Sequence, residues 1–453
     1  MEDIFDHLFG DEPAEPSSAS AAAPELPSPL PFAEVRSMIG VNARSHGGRG
    51  VFACRDIAPG TLIVAEVPIL QWAADSMNEA SYLVDVINTI VGADELLAVT
   101  RDLHPVCYAD AEEEDVVMAT ATLTSNGKLS LADIARNLES SEPVDERELL
   151  RLFLVLQHNG FGSGLYRHLT KVNHSCLPNC IKFGCSSSIH KASEIWSTAP
   201  IRKGEELTIC YVNPVEQSSK AMQTYLLQNH HFKCACARCS DASSTGTVGP
   251  ALIDEESLQE NLEMAERELQ LMKLDDEGDV VAHCYQMLKR SRKLILVACG
   301  GAEGGVGVFT RARVLKVAVQ CACQLLEAAS RVRGRRPKDR VVLTAATSYL
   351  QYSLLLLEQQ RSYLGDDHID LARTYFDVNE AVRCLLDSFP GALAQLPGAP
   401  IWAASSATAR AAAAAHRQQG VRIKNMYLAS RHGDALRAAL AGPGGVWWGG
   451  VGP

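Results

Sequence analysis

The sequence predicts an α+β protein: a β-rich core split by a helical insert, then a cysteine-rich loop and a long α-helical C-terminal region. Three observations carry that expectation. Short β-type runs separated by Gly and Pro turns occur twice, at 34–70 and again at 160–213. Between them, over about 71–156, and again beyond about 215, apolar residues recur at helical spacing. Three cysteines within six residues, Cys234, Cys236 and Cys239, part the second β-type stretch from the C-terminal helices.

Residues 11–31 are rich in Pro, Ser, Ala and acid, and the expectation is a disordered, acidic N-terminus over 1–33. The first 35 residues hold eight acids and no Lys or Arg, and Ile4, Phe5, Leu8 and Phe9 form a small apolar face among them. From 34 the pattern is β-like. Gly47-Gly48-Arg49-Gly50 leads into Val51-Phe52-Ala53, and Asp56-Ile57-Ala58-Pro59-Gly60 makes a turn before Leu62-Ile63-Val64. The insert closes with a helix from about Asp145 to Gln157, which begins on acids and runs into Leu149, Leu150, Leu152, Phe153, Leu154 and Leu156. Strands then return, which bounds one domain at 34–213, with the cysteine segment at 214–240. In a helical domain over 250–390, Leu258, Leu262, Ala265, Leu269 and Met272 repeat at helical spacing. Further helices are written over 341–360 and 367–386, with a Gly-rich loop at 300–307. Residues 391–453 read as an Ala/Gly-rich, partly disordered tail holding one more helix over 406–440.

Composition excludes several classes of function. The 42 Lys and Arg against 54 Asp and Glu give a net charge of −12, so no direct nucleic-acid binding is expected, and an acidic surface suits a basic protein partner. No run of about 18 apolar residues is present, so no membrane span is expected. The acidic start is unlike a secretory signal or an Arg-rich transit peptide. Fourteen cysteines without such a signal point to a reducing compartment, the nucleus and/or the cytoplasm. The basic run from Arg331 to Lys338 reads as a solvated loop, with a weak nuclear signal as the alternative, and a monomer is the default expectation.

Chemistry concentrates in three places. Asn173-His174-Ser175-Cys176-Leu177-Pro178-Asn179-Cys180 is dense in polar and special residues. Gly204-Glu205-Glu206-Leu207-Thr208-Ile209-Cys210-Tyr211 is a turn feeding a short apolar strand that ends in tyrosine. Cys234, Cys236 and Cys239, spaced C-x-C-x-x-C, can converge on one tetrahedral ion if the backbone turns tightly, with a fourth ligand from elsewhere. Zinc is the default metal for soft thiolates in a reducing compartment. Cys176 is the expected fourth ligand, with Cys180 and Cys210 as its rivals. The Cys321-Ala322-Cys323 pair lies in a helical stretch without further ligands and reads as core.

In this order, Gly48-Arg49-Gly50, the Asn173-His174-Ser175-Cys176 run, Glu205-Glu206-Leu207 leading to Tyr211, and the C-x-C-x-x-C segment resemble the landmarks of SET-domain protein-lysine methyltransferases. The layout is similar to the SET-and-MYND family: split SET halves, Gly164-Leu165-Tyr166 ahead of the Asn-His-Ser-Cys run, a post-SET zinc loop, and a TPR-like helical C-terminal domain around Leu364–Ala372. The resemblance covers 35–240 closely and 250–390 loosely. A MYND finger needs seven or eight Cys and His ligands, but residues 71–150 offer only His104 and Cys107, so that module is absent. Two further departures are His230, where relatives tend to place tyrosine before the zinc cysteines, and Arg167, where proline often follows the tyrosine.

The resemblance implies S-adenosylmethionine as co-substrate, Zn2+, and a protein partner bearing the target lysine. Tyr211 would orient the amine, and Tyr166 and Phe232 would line the lysine channel. Gly48, Arg49, Gly50, Asn173 and His174 would hold the cofactor, with Asn159, in the Gln157–Phe161 turn, a further candidate. The alternative is a non-catalytic SET-fold binding protein that recruits partners through its helical domain.

Overall fold

The computed structural model describes residues 30, 32–43, 48–72, 79–125, 129–140, 143–183, 192–212, 219–230, 232–240, 255–271, 280–299, 307–331, 339–389, 391–396 and 400–427. The N-terminal apolar face, most of the Gly-rich loop at 300–307, the basic run after Arg331 and the tail after 427 lie outside the described residues. The chain forms two compact units, one of residues 30–174 and 178–209, the other of 175–177 and 210–427, counting the described residues.

The first unit holds the β-rich core. Strands β1 (Ile39–Ala43) and β2 (Arg49–Ala53) form an antiparallel hairpin with Val41 opposite Val51. β3 (Leu62–Glu66), β8 (Ser193–Ser197) and β7 (Cys180–Phe183) make an antiparallel sheet with β8 central. All five residues of β8 are buried, as a strand covered on both faces requires. β4 (Leu70–Gln71) pairs with β5 (Gly164–Leu165), and β6 (Asn173–His174) runs parallel to β9 (Thr208–Ile209). Gly204, at φ 85°, supplies the left-handed turn that sends the chain from Ile201 back toward β2.

One element departs from the pattern read in the sequence. Where β-type structure is expected from 34, the chain first makes helix α1 (Phe32–Met38). Phe32, Val35 and Met38 stand three apart, and Val35 and Met38 are buried, so a helical stripe wins over the weak strand propensity.

The insert consists of α2 (Ala80–Val91), α3 (Asp94–Thr100), α4 (Glu113–Leu123), α5 (Leu131–Arg136) and α6 (Glu146–Asn159). Asp145 caps α6 by accepting the Glu148 N–H at 2.8 Å, and acids at 146 and 148 favour its positive end. Residues Leu149 through Leu156 are buried without a break, which makes α6 the centre about which the other insert helices pack.

The second unit is helical: α7 (Ser219–His230), the short α8 (Ala237–Ser240), α9 (Glu255–Leu271), α10 (Val280–Cys299), α11 (Val308–Arg331), α12 (Asp339–Tyr363), α13 (Ile369–Ser388) and α14 (Ser406–Tyr427). From α10 to α14 each helix packs on the next, and α9 packs on α11. Cys321 and Cys323 are buried in α11. By length and apolarity α12 would suffice to cross a bilayer, contrary to the expectation of no such segment. Half of that apolar window is buried, and α12 packs against both α11 and α13, as the core helix of a layered array does.

Candidate cofactor and metal sites

In the first unit the glycine hairpin, β6 and the segment after Gly204 meet. Ala53 N–H donates to Glu205 O at 2.9 Å and Leu207 N–H to Val51 O at 2.7 Å, which lays this segment along β2. Asn173 Nδ2 donates to Arg49 O and to Glu206 Oε1, both at 2.8 Å. Gly50 stands against that contact: a Cβ on it would fall 2.4 Å from Glu206 Oε1 and 3.2 Å from Asn173 Nδ2. Gly48 is left-handed, φ 73°, and faces open space. His174 is buried beside Ile209 of β9, which it opposes. Asn179 locks the same layer, donating to Glu206 O at 2.9 Å and accepting the Thr208 N–H at 2.9 Å. The result is a glycine edge with an amide and a carboxylate fixed beside it, where a polar small molecule could approach the backbone closely.

Arg49 points to the insert. Its guanidinium donates to Asp102 Oδ1 at 2.7 Å and to Asp102 O at 2.6 Å, and Lys171 pairs with the other carboxylate oxygen. Burial pushes the Asp102 carboxyl up, but hydrogen bonds and charge from Lys171 and Arg49 outweigh it and hold it below the usual carboxylate range. Asn159 ends α6, and its amide donates to His104 O at 2.6 Å and to Val155 O at 2.9 Å. Tyr166 is fully buried, its hydroxyl bonded to Ser163 Oγ at 2.7 Å and Ser193 Oγ at 2.8 Å. Glu66 accepts backbone N–H groups from Arg167 at 2.7 Å and from His168 and Leu169 at 3.0 Å. This accounts for Arg167: proline there would remove one of the donors that hold the turn.

In the second unit the sulfur atoms of Cys176, Cys234, Cys236 and Cys239 all lie within 4.8 Å of one another, with 3.5 Å between Cys176 and Cys239. Zn–S bonds of about 2.3 Å in a tetrahedron set sulfur separations near ~3.8 Å, so the donor set fits zinc by chemistry and by spacing. Hydrogen bonds with Cys234 and Cys236 drive the Cys176 thiol up, while the bond from Cys176 drives the Cys236 thiol down. Four thiols this close could ionise together only with a cation among them. Of the two rivals for fourth ligand, Cys180 is buried in β7, and Cys210 Sγ donates to Val212 O at 2.9 Å.

The loop is built for this. Gln223 of α7 brackets Cys234, donating to its carbonyl at 2.8 Å and accepting its N–H at 3.1 Å. Cys239 N–H closes on Cys236 O at 2.9 Å. Beside the cysteines, His230 at the end of α7 lies 5.0 Å from the Tyr211 ring, 5.9 Å from Tyr225 and 6.4 Å from Phe232, centroid to centroid. A shallow depression lined by Leu354, Leu357, Glu358, Arg361, Ser362 and Asp366 lies at the end of α12, away from these groups.

Residues 48–212 match the family described as SET domain. The chain carries a SET domain. A SET domain-containing protein of Dictyostelium discoideum is 38% identical over 68 residues, 15% of this chain and 16% of that protein. Histone-lysine N-methyltransferase SMYD3 of Homo sapiens is 38% identical over 79 residues, 17% of each chain. SET domain-containing protein SmydA-8, isoform A, of Drosophila melanogaster is 23% identical over 273 residues, 47% of this chain and 58% of that protein. The chain thus spans less than two thirds of the length of these relatives, and it is similar to SET-and-MYND proteins.

The SET-like runs single out Gly50, Asn173 and the cysteines, whereas no sequence pattern gives a role to Asp102, Asn179, Gln223 or Arg238. Glu206 stands inside the Gly204–Tyr211 run, although nothing in the sequence makes it the partner of Asn173. Asp102 carries no motif at all, since only folding brings it to Arg49 and Lys171.

Proposed function

We propose that this chain is an S-adenosylmethionine-dependent protein-lysine N-methyltransferase. The observation that carries the reading is the contact of Gly50, Asn173 and Glu206 within the matched SET domain. Gly48, Gly50 and Asn173 would hold the amino-acid end of the cofactor, and His174 would contact it through its backbone. Asn159 spends its amide within the fold and would act on the site through the turn it stabilises. The cofactor supplies a methyl group on a sulfonium.

The chain's own residues must then deliver a neutral amine in line with that methyl. A free lysine has a pKa of about 10.4, and apolar surroundings favour the uncharged form. Tyr211, packed in the aromatic cluster with His230, Tyr225 and Phe232, would orient the nitrogen through its hydroxyl. The four-cysteine centre would hold zinc and order the segment carrying Phe232, a structural role for a closed site.

The test is transfer of labelled methyl from S-adenosylmethionine to the proteins of a cell extract, followed by hydrolysis and amino-acid analysis. The expected result is label on methylated lysine. Cofactor binding with no label on any protein would contradict the reading and favour a non-catalytic SET-fold binding protein.

A further inference from the structure

Arg238 lies between two of the four cysteines, at the third position of the Cys236-Ala237-Arg238-Cys239 turn, yet it is 2% exposed. A buried arginine needs a reason, since an uncompensated charge in the interior is costly. Two contacts supply one. Its Nη1 reaches Cys176 O at 3.4 Å, and its guanidinium carbon stands 3.4 Å from the centroid of the Phe309 ring. Phe309 opens α11 and is itself buried against Tyr363, 4.6 Å away at the end of α12. Zinc with four thiolates carries a net charge of −2, and Arg238 is a buried cation placed to offset it. The same side chain joins the metal loop to the first turn of α11 by a cation–π contact.

We propose that Arg238 is a positioning residue that couples the metal centre to the helical array, so that metal binding orders the start of α11 through the Arg238–Phe309 stack. The coupling rests on the reading of the four cysteines as a zinc site. It makes the helical domain a reporter of metal occupancy. It also assigns arginine a role that lysine fills only in part, because lysine keeps the charge but loses the planar face that stacks.

The test is hydrogen exchange at residues 308–315 of the full chain, with and without a zinc chelator, in wild type, Arg238→Lys, Arg238→Met and Phe309→Leu, alongside zinc content by metal analysis. In wild type, chelation should raise exchange at 308–315 by tenfold or more. Phe309→Leu should keep its zinc but show the raised exchange already in the metal-bound state, with little further change on chelation. Arg238→Met should in addition lose zinc to chelator at least tenfold faster than wild type, with Arg238→Lys between the two. Wild type that purifies without zinc would overturn the metal reading and the coupling with it. Full zinc occupancy with exchange at 308–315 indifferent to chelation would overturn the coupling alone.

Discussion

Gly50 is the residue at which sequence and geometry make the sharpest joint demand. Its Cβ position is already taken by Glu206 Oε1, the atom that receives the Asn173 amide. Gly50→Ala must therefore move the Glu206 carboxylate and release Asn173 from one partner. The loss of a hydrogen bond to a charged group is worth about 1.5–3 kcal/mol. The expected outcome is S-adenosylmethionine binding weaker by at least ~10-fold in calorimetry, with a far-ultraviolet spectrum like wild type. Unchanged affinity would remove Gly50 from the cofactor site. The identity of such residues was legible because each sits in a short run whose composition has no use in a core. Their partners were not. Glu66, Asp102 and Arg238 are ordinary charged residues until folding sets them against Arg167, Arg49 and Phe309.

Among the elements, two of the long helices are legible to within a few residues because their apolar stripes are long, whereas Val280–Cys299 and Val308–Arg331 show only as helical stretches without bounds. The predicted 341–360 and 367–386 are Asp339–Tyr363 and Ile369–Ser388. The short α1 was missed because seven residues give too little period to outweigh local β-type composition. Two-residue strands such as β6 and β9 carry no readable period either, and they exist because Asn179 and the β2 ladder hold them. The close approach of α13 and α14 was equally hidden. Gly420 of α14 meets the Phe376 ring, where a Cβ would fall 2.9 Å from Cε1. Gly420→Ala gains about 1 kcal/mol of helix propensity. Pushing a buried ring aside costs about 1–3 kcal/mol, which wins. Urea unfolding should show the variant less stable by about 1 kcal/mol, and a variant more stable than wild type would show that the ring yields freely.

At the scale of the molecule, the α+β class and the order of β core, insert, cysteine loop and helices follow from changes of period along the chain. The buried charge inside the helical array does not. Burial pushes the Glu380 carboxyl up to about 7; Arg373 and Arg383 oppose the rise, and Asp377 and Glu327 add to it. An acid whose folded pKa stands above its unfolded value holds its proton more tightly when folded. Its contribution is therefore most favourable below about pH 4.5 and is lost as pH rises from there to about 7. Glu380→Gln should flatten that part of the stability profile and raise the midpoint of urea unfolding at pH 8. Parallel profiles for wild type and variant would contradict the shift.

Lysine methylation is tested by comparing wild type and Tyr211→Phe side by side. Single-turnover transfer of labelled methyl to the protein acceptor identified in cell extract is read together with the dissociation constant for S-adenosylmethionine. Loss of one hydroxyl that acts in the transition state should slow transfer by at least ~100-fold while leaving cofactor affinity within about twofold. Equal transfer rates for the two proteins would contradict the role of Tyr211 and the mechanism built on it.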